Sequence, residues 1–154
     1  MSERWARAIL TTYRWAGAAA YPFVGGYAVL RSPRHAEEGA RRRERFGRAT
    51  LPRPEGELIW VHAVGEGEAI AVVPLTERFL SLGVGVVMTT GTVASAEAVR
   101  ERLGDRVIHQ FVPLDLKPAI ANFLDHWQPD LAVFAESEIW PQTILELQAR
   151  RVPQ

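Results

Sequence analysis

Two turns in this sequence carry the residue types that acid–base chemistry on a hydroxyl substrate requires. The first reads Gly65-Glu66-Gly67-Glu68. The second reads Glu136-Ser137-Glu138 and runs within two residues into Trp140-Pro141. Glu68 is the sharper candidate. It stands at a predicted helix start, behind a Gly-x-Gly turn that lets a substrate come close to the backbone, and a carboxylate there can take the proton of a hydroxyl nucleophile. A simpler role fits the same position, because an acid near a helix N-terminus gains about 0.3–1 kcal/mol from the helix dipole. Glu136 and Glu138 allow the same two readings, and spacing alone leaves both open. The catalytic reading gains weight if the two acidic turns converge on one edge of a fold, since carboxylates that face one cleft suit acid–base work.

A third turn, Thr89-Thr90-Gly91-Thr92, adds hydroxyls beside a glycine. Together with Asp115 and the indole of Trp140, these residues would line a crevice suited to a polyhydroxylated ligand rather than a phosphate. A dinucleotide fingerprint starting at Gly65 would need glycine at position 70, which is Ile70, and an acid where Thr89 and Thr90 stand. Glu66 and Glu68 would also repel a pyrophosphate. Oxygen ligands for Mg²⁺ exist in Glu66, Glu68, Asp115, Glu136 and Glu138, but no D-x-D pair joins them. His62 falls inside an apolar run and suits a core imidazole; His109 and His126 also read as structural. The chain has no cysteine, no His-x-x-x-His pair and no G-x-S-x-G elbow. No metal and no cofactor are expected.

The elements that must position these turns follow from hydrophobic periodicity. Short apolar runs at 58–64, 84–89, 106–112 and 130–135 read as buried strands. Between them come helical patterns at 69–82, ended by Gly83, at 92–103, capped by Thr92 and ended by Gly104, at 115–127, opened by Asp115, and at 138–151. The order β-α-β-α-β-α-β-α with near-continuous apolar strands predicts an α/β fold: a doubly wound, Rossmann-like parallel sheet covered on both faces. In such sheets ligands bind beyond the carboxyl ends of the strands, where all three turns fall. The pattern expects a fifth strand at Val152-Pro153-Gln154, so the domain reads as truncated at its C-terminal end.

The 154 residues carry 18 basic and 18 acidic side chains, and that balance conceals an asymmetry. Residues 1–53 hold 11 arginines against four acids, net +7, and residues 54–154 hold seven bases against 14 acids, net −7. The acidic part argues against nucleic acid as its ligand. Residues 15–30 carry no charge and reach about 24 Å as a helix, short of the roughly 20 apolar residues that span a bilayer. Aromatic rings (Trp5, Tyr13, Trp15, Tyr21, Tyr27) and the arginines on both sides suit a membrane surface with anionic headgroups. A cleaved signal peptide and a buried apolar hairpin are the alternatives, and the arginine run also fits a merely solvated face. The expected organisation is a membrane-associating segment over 1–53 and a Rossmann-like domain over 54–154.

The motifs together carry a family likeness. The segments RRRERFGR (41–48), LIWVHAVGEGEA (58–69), VVMTTGTVASAEAVRERL (86–103), VIHQFVPLDL (107–116) and FLDHWQPDLAVFAESEIWPQ (123–142) resemble, in this order, the N-terminal half of the bacterial 3-deoxy-D-manno-octulosonic acid (Kdo) transferases. The resemblance implies a GT-B glycosyltransferase on the cytoplasmic face of the inner membrane. Its N-terminal domain would handle the lipid A precursor lipid IVA, and its C-terminal domain the donor CMP-Kdo. It implies Glu68 as general base and Glu138 as transition-state stabiliser in an inverting, metal-free displacement. Gly65, Gly67, Thr89, Thr90, Gly91, Thr92, Trp140 and Pro141 would then line the substrate site. Gly65 departs from the serine usual in the family, and Gln142 from its common asparagine. A donor half is absent from these 154 residues, so this chain by itself is expected to be inactive. A non-catalytic lipid- or sugar-binding module and an unrelated Rossmann-type sugar-nucleotide enzyme are the competing expectations.

Overall fold

The computed structural model describes residues 11–13, 16, 41–135 and 140–154. The apolar run at 15–30, apart from Ala16, and the second acidic turn, Glu136 to Glu138, lie outside the described residues. Four strands form one parallel sheet: β1 (Leu58–His62), β2 (Gly85–Thr90), β3 (Ile108–Phe111) and β4 (Leu131–Phe134), in the spatial order β3-β2-β1-β4. Strand β1 pairs Leu58↔Gly85 through His62↔Thr89 on one side and Ile59↔Leu131 through His62↔Phe134 on the other. The chain steps outward from β1 to β3, then returns across β1 to β4. The order therefore reverses between β1 and β4, which is the switch point of a doubly wound, Rossmann-like layer.

Alternation along β1 divides the core. Ile59, Val61 and Ala63 face a cluster with Val86, Met88, Val99 and Leu103. Leu58 and Trp60 face the opposite cluster with Phe123, Leu124, Trp127 and Leu147. The first cluster lies under helices α1 (Glu66–Ala71), α2 (Val73–Ser81) and α3 (Val93–Leu103), and the second under α4 (Lys117–Trp127) and α5 (Pro141–Ala149). Trp60 meets Phe123 at 4.6 Å between ring centroids, and both are essentially solvent-free. Each buried ring of this size contributes about 1.5–3 kcal/mol.

Two elements differ from their sequence expectation for physical reasons. The single helix expected over 69–82 is two helices, hinged at Val72, because Pro74 has no amide to continue the ladder of the first and fits the first turn of the second. The helix expected to open at Asp115 starts at Lys117, with Pro118 in its first turn. After α5 the chain comes back beside the sheet, where Pro153 O accepts the amide of Ala132 at 2.9 Å.

Residues 41–53, grouped by charge with the N-terminal segment, are packed on the sheet. A 3-10 turn, Arg42–Phe46, covers the outer edge of β3. Glu44 is fully buried, bonded to Arg41 by two contacts of 2.8 Å, and accepts the edge amide of Phe111 at 2.7 Å. Gly47 at φ +74° lies flush on α4; a Cβ there would meet Ala119 O at 1.9 Å. Arg53 donates to Trp127 O at 2.7 Å. Among the described residues no helix is long and apolar enough to cross a membrane.

Candidate active site

The carboxyl end of β1 builds the site's first wall. The strand stops at His62 because the next free amide, that of Val64, turns away and donates to Glu68 Oε2 at 2.7 Å. Gly65 N donates to the same oxygen at 3.2 Å. The half-buried Glu68 thus closes its own turn from the third position of α1. Its other oxygen, Oε1, takes part in no hydrogen bond among the described residues. Glu66 and Gly67 are exposed beside it. A Cβ added at Gly67 meets nothing within 4 Å, and one at Gly65 meets only Glu68 Oε1 at 3.9 Å. Neither glycine is demanded by packing, so their bareness leaves open surface next to the carboxylate.

The second wall is the turn after β2, and it is joined to the first. Gly91 N donates to Val64 O at 2.9 Å. A Cβ at Gly91 would stand 2.7 Å from Val64 Cγ1 and 3.0 Å from Val64 O, so glycine is required by the close approach of the two turns. Exposed Thr92 caps α3, accepting from Ser95 N at 3.1 Å, and Ser95 Oγ reaches back to Val64 O at 3.0 Å. From behind, Arg45 Nη2 donates to Gly91 O at 2.7 Å.

Thr89 and Thr90, read from sequence as ligand-facing hydroxyls, are both fully buried. Thr89 Oγ1 accepts the indole N–H of Trp60 at 2.8 Å and pairs with His62 Nδ1 at 2.8 Å. Thr90 Oγ1 pairs with His109 Nε2 at 2.9 Å. In this structure their hydroxyls brace the floor of the crevice and do not line it. His109 is held neutral: burial, then the neighbouring Arg41 and Arg45 guanidinium groups, lower its pKa to about 3.

The third wall comes from β4 and α5. Ala135 N donates to His62 O at 2.8 Å, which ties the exit of β4 to that of β1. The chain is next described at Trp140, whose ring meets His62 edge-on at 6.0 Å. Pro141 is the first residue of α5. Asp115, expected at the start of α4, instead accepts Gln142 N at 3.0 Å and Thr143 N and Oγ1 at 2.8 Å each. A fourth donor is Tyr13 Oη at 3.1 Å; burial and the Asp115 carboxylate raise the pKa of that phenol. Among the amides that open α3 and α5, those of Ser95, Gln142 and Thr143 are thereby bonded to Thr92 and Asp115, while Glu68 holds the two amides just before α1. At the starts of α3 and α5, the kind of helix end at which a doubly wound fold often seats phosphate, amides are taken up by the chain's own oxygens. Among the described residues no group of three or more His, Cys, Asp or Glu has a metal-binding arrangement.

Sequence reasoning missed Ser95, Arg41, Glu44 and Arg45 as parts of this scaffold. Ser95 alone had a local signal, standing three residues after a capping threonine.

A family model described as 3-deoxy-D-manno-octulosonic-acid transferase (kdotransferase) matches residues 40–154. The chain belongs to the Kdo transferase family. A probable mitochondrial 3-deoxy-D-manno-octulosonic acid transferase of Arabidopsis thaliana is 37% identical over 134 residues, which is 86% of this chain and 30% of the relative. The 3-deoxy-D-manno-octulosonic acid transferase of Haemophilus influenzae is 36% identical over 133 residues, 85% of this chain and 30% of that protein. That of Rickettsia prowazekii is 40% identical over 91 residues, 58% of this chain and 20% of that protein. This member of the Kdo transferase family thus spans under a third of the length of these relatives.

Proposed function

We propose that this chain is the acceptor-binding half of an enzyme that transfers Kdo from CMP-Kdo to lipid IVA, on the cytoplasmic face of the inner membrane. The observation that carries the proposal is the placement of Glu68 at the sheet's switch point. Two backbone amides fix one carboxylate oxygen and leave Oε1 on the side of Gly65, next to the exposed first residues of α1. In this reading Oε1 takes the proton of an acceptor sugar hydroxyl as its oxygen attacks the anomeric carbon of Kdo. The bond from that carbon to the CMP phosphate breaks, the electron pair leaves with CMP, and configuration inverts. Glu138 would stabilise the charge that develops in the transition state. Thr92, Gly65, Gly67, Trp140 and Pro141 would border the acceptor, with Gly91, Thr89 and Thr90 setting the turns from below. The donor would be held mainly by a second domain. Occupation of amides at the starts of α3 and α5 by Thr92 and Asp115 supports a sugar-facing rather than nucleotide-facing role for this half.

The acceptor reading is tested by floating the chain with vesicles. Vesicles with lipid IVA are compared with plain anionic vesicles of equal surface charge. Tighter, less salt-sensitive binding to the lipid IVA vesicles is expected. Equal binding that disappears with salt would leave only a basic surface association and would overturn an acceptor site in this half.

A further inference from the structure

We infer that Asp115 is a positioning residue for the crevice: it holds the start of α5, and with it Trp140, against the exit of β1. The inference deepens the acceptor reading and rests on it. Helix α5 begins without a cap of its own, because its N-cap residue is Trp140, which makes no side-chain cap hydrogen bond. A serine or aspartate at that position would satisfy the first amides locally. A tryptophan there leaves the amides to be met from elsewhere, while its ring packs on His62 at 6.0 Å.

Asp115 meets them from the β3–α4 connection, 27 and 28 residues away in sequence. Asp115 is 8% exposed. Oδ1 takes Thr143 N and Thr143 Oγ1, and Oδ2 takes Gln142 N and Tyr13 Oη. An ionised carboxylate is needed because both oxygens must accept, and the helix N-terminus favours the negative charge. Two described points beside the crevice are therefore anchored. One is Ala135, bonded to His62 O, and the other is the Gln142–Thr143 pair, bonded to Asp115. The partners of Asp115 are the first amides of α5, the Thr143 hydroxyl and Tyr13, so its role is to determine where the indole stands.

Asp115→Asn keeps the shape but turns one accepting oxygen into a donor, so it must break one side of the clamp. The test is performed on the whole chain by two-dimensional amide and indole NMR, alongside flotation with lipid IVA vesicles and with plain anionic vesicles. The expected result is that solvent exchange of the Gln142 and Thr143 amides speeds at least tenfold and the Trp140 indole signal shifts, while the buried Trp60 and Trp127 indoles hold. Preference for lipid IVA over plain vesicles falls about tenfold with overall membrane binding kept. Thr143→Val, which removes one donor, should do the same in smaller measure if Asp115→Asn does not fold, and Thr143→Ser should behave as wild type. Faster amide exchange with an unmoved Trp140 signal and intact lipid preference would reduce Asp115 to a helix cap and overturn the inference. If the wild-type chain shows no lipid IVA preference at all, the acceptor reading fails, and the Trp140 signal alone then decides whether Asp115 positions that ring.

Discussion

Stability of this domain should fall in mildly acidic solution through a single imidazole. His109 lies on β3 with Arg41 Nη2 at 2.9 Å from Nδ1 and Thr90 Oγ1 at 2.9 Å from Nε2. A guanidinium only donates, so Nδ1 accepts and Nε2 carries the proton, which it gives to Thr90. Protonating Nδ1 would break the Arg41 bond and place a third positive charge beside Arg41 and Arg45. Burial first, and those two arginines second, hold the pKa at about 3 against an ordinary 6.5. The unfolded chain binds this proton near pH 6.5 and the folded one only near pH 3. Between those values the unfolded state carries more protons, so the contribution is whole above pH 6.5 and is lost as pH falls toward 3. At roughly 1.4 kcal/mol per pKa unit, about two units of descent, to pH ~4.5, cost on the order of 3 kcal/mol. For a chain of this size that is a Tm lower by about 6–12 °C. His109→Gln supplies the control, since a carboxamide can accept from Arg41 and donate to Thr90 without titrating. Thermal melts of both chains from pH 7 down to 4.5 isolate the effect, because all other groups cancel in the difference. The wild type should lose stability more steeply than the variant. Parallel curves would refute the reasoning.

Three further outcomes are expected. Glu68→Gln, assayed for Kdo transfer with a donor domain present, should lower kcat by about 10²–10⁴-fold and leave vesicle binding unchanged; near-normal turnover would remove Glu68 as the base. Gly91→Ala should cost about 1–3 kcal/mol by overpacking against Val64, whereas Gly67→Ala, facing open space in α1, should be neutral or stabilising; urea unfolding of the pair checks the contrast. Gln142 is 2% exposed, and neither end of its carboxamide has a partner among the described residues, so Gln142→Met should raise stability by roughly 1–3 kcal/mol. A lower urea midpoint in that variant would show that the amide is satisfied in solution.

The central strands were legible because they are buried along nearly their whole length and spelled largely in apolar residues, as in Leu58 to Val61, and the partly buried β3 and β4 were found from the apolar residues within and beside them. Their ends were not, since they are set by side chains reaching back to the backbone. Val64 reads as strand by composition and leaves the strand because Glu68 takes its amide. Asp115 shows the same limit at longer range. Its neighbours in sequence mark it as the opener of α4, and only the fold brings α5 within its reach. The arginine run meets the same limit for an electrostatic reason: charge is visible in a sequence and its partner is not. Arg41 finds a buried Glu44 and the His109 carbonyl, 68 residues on, and Arg45 finds Gly91 O. Both acidic turns were legible as motifs, and Glu68 has a described place, while Glu138 stands outside the described residues.

These contacts also give a physical reason for the motifs to occur together. The tryptophan and histidine of the first strand, Trp60 and His62, share one hydroxyl of the threonine turn, that of Thr89. The next hydroxyl, Thr90, leads through His109 and Arg41 to Glu44 in the basic motif. Arg45 of the same motif holds Gly91, Gly91 holds Val64, and Val64 is held in turn by the carboxylate of Glu68. The basic stretch thus reaches the proposed base by an unbroken chain of hydrogen bonds through the threonine turn. Two changes along such a chain should not add as independent changes do. Arg45→Met and Gly91→Ala, measured singly and together, should therefore show a coupling of about 0.5–3 kcal/mol in unfolding free energy. Strict additivity would mean that the three motifs are neighbours in space without depending on one another.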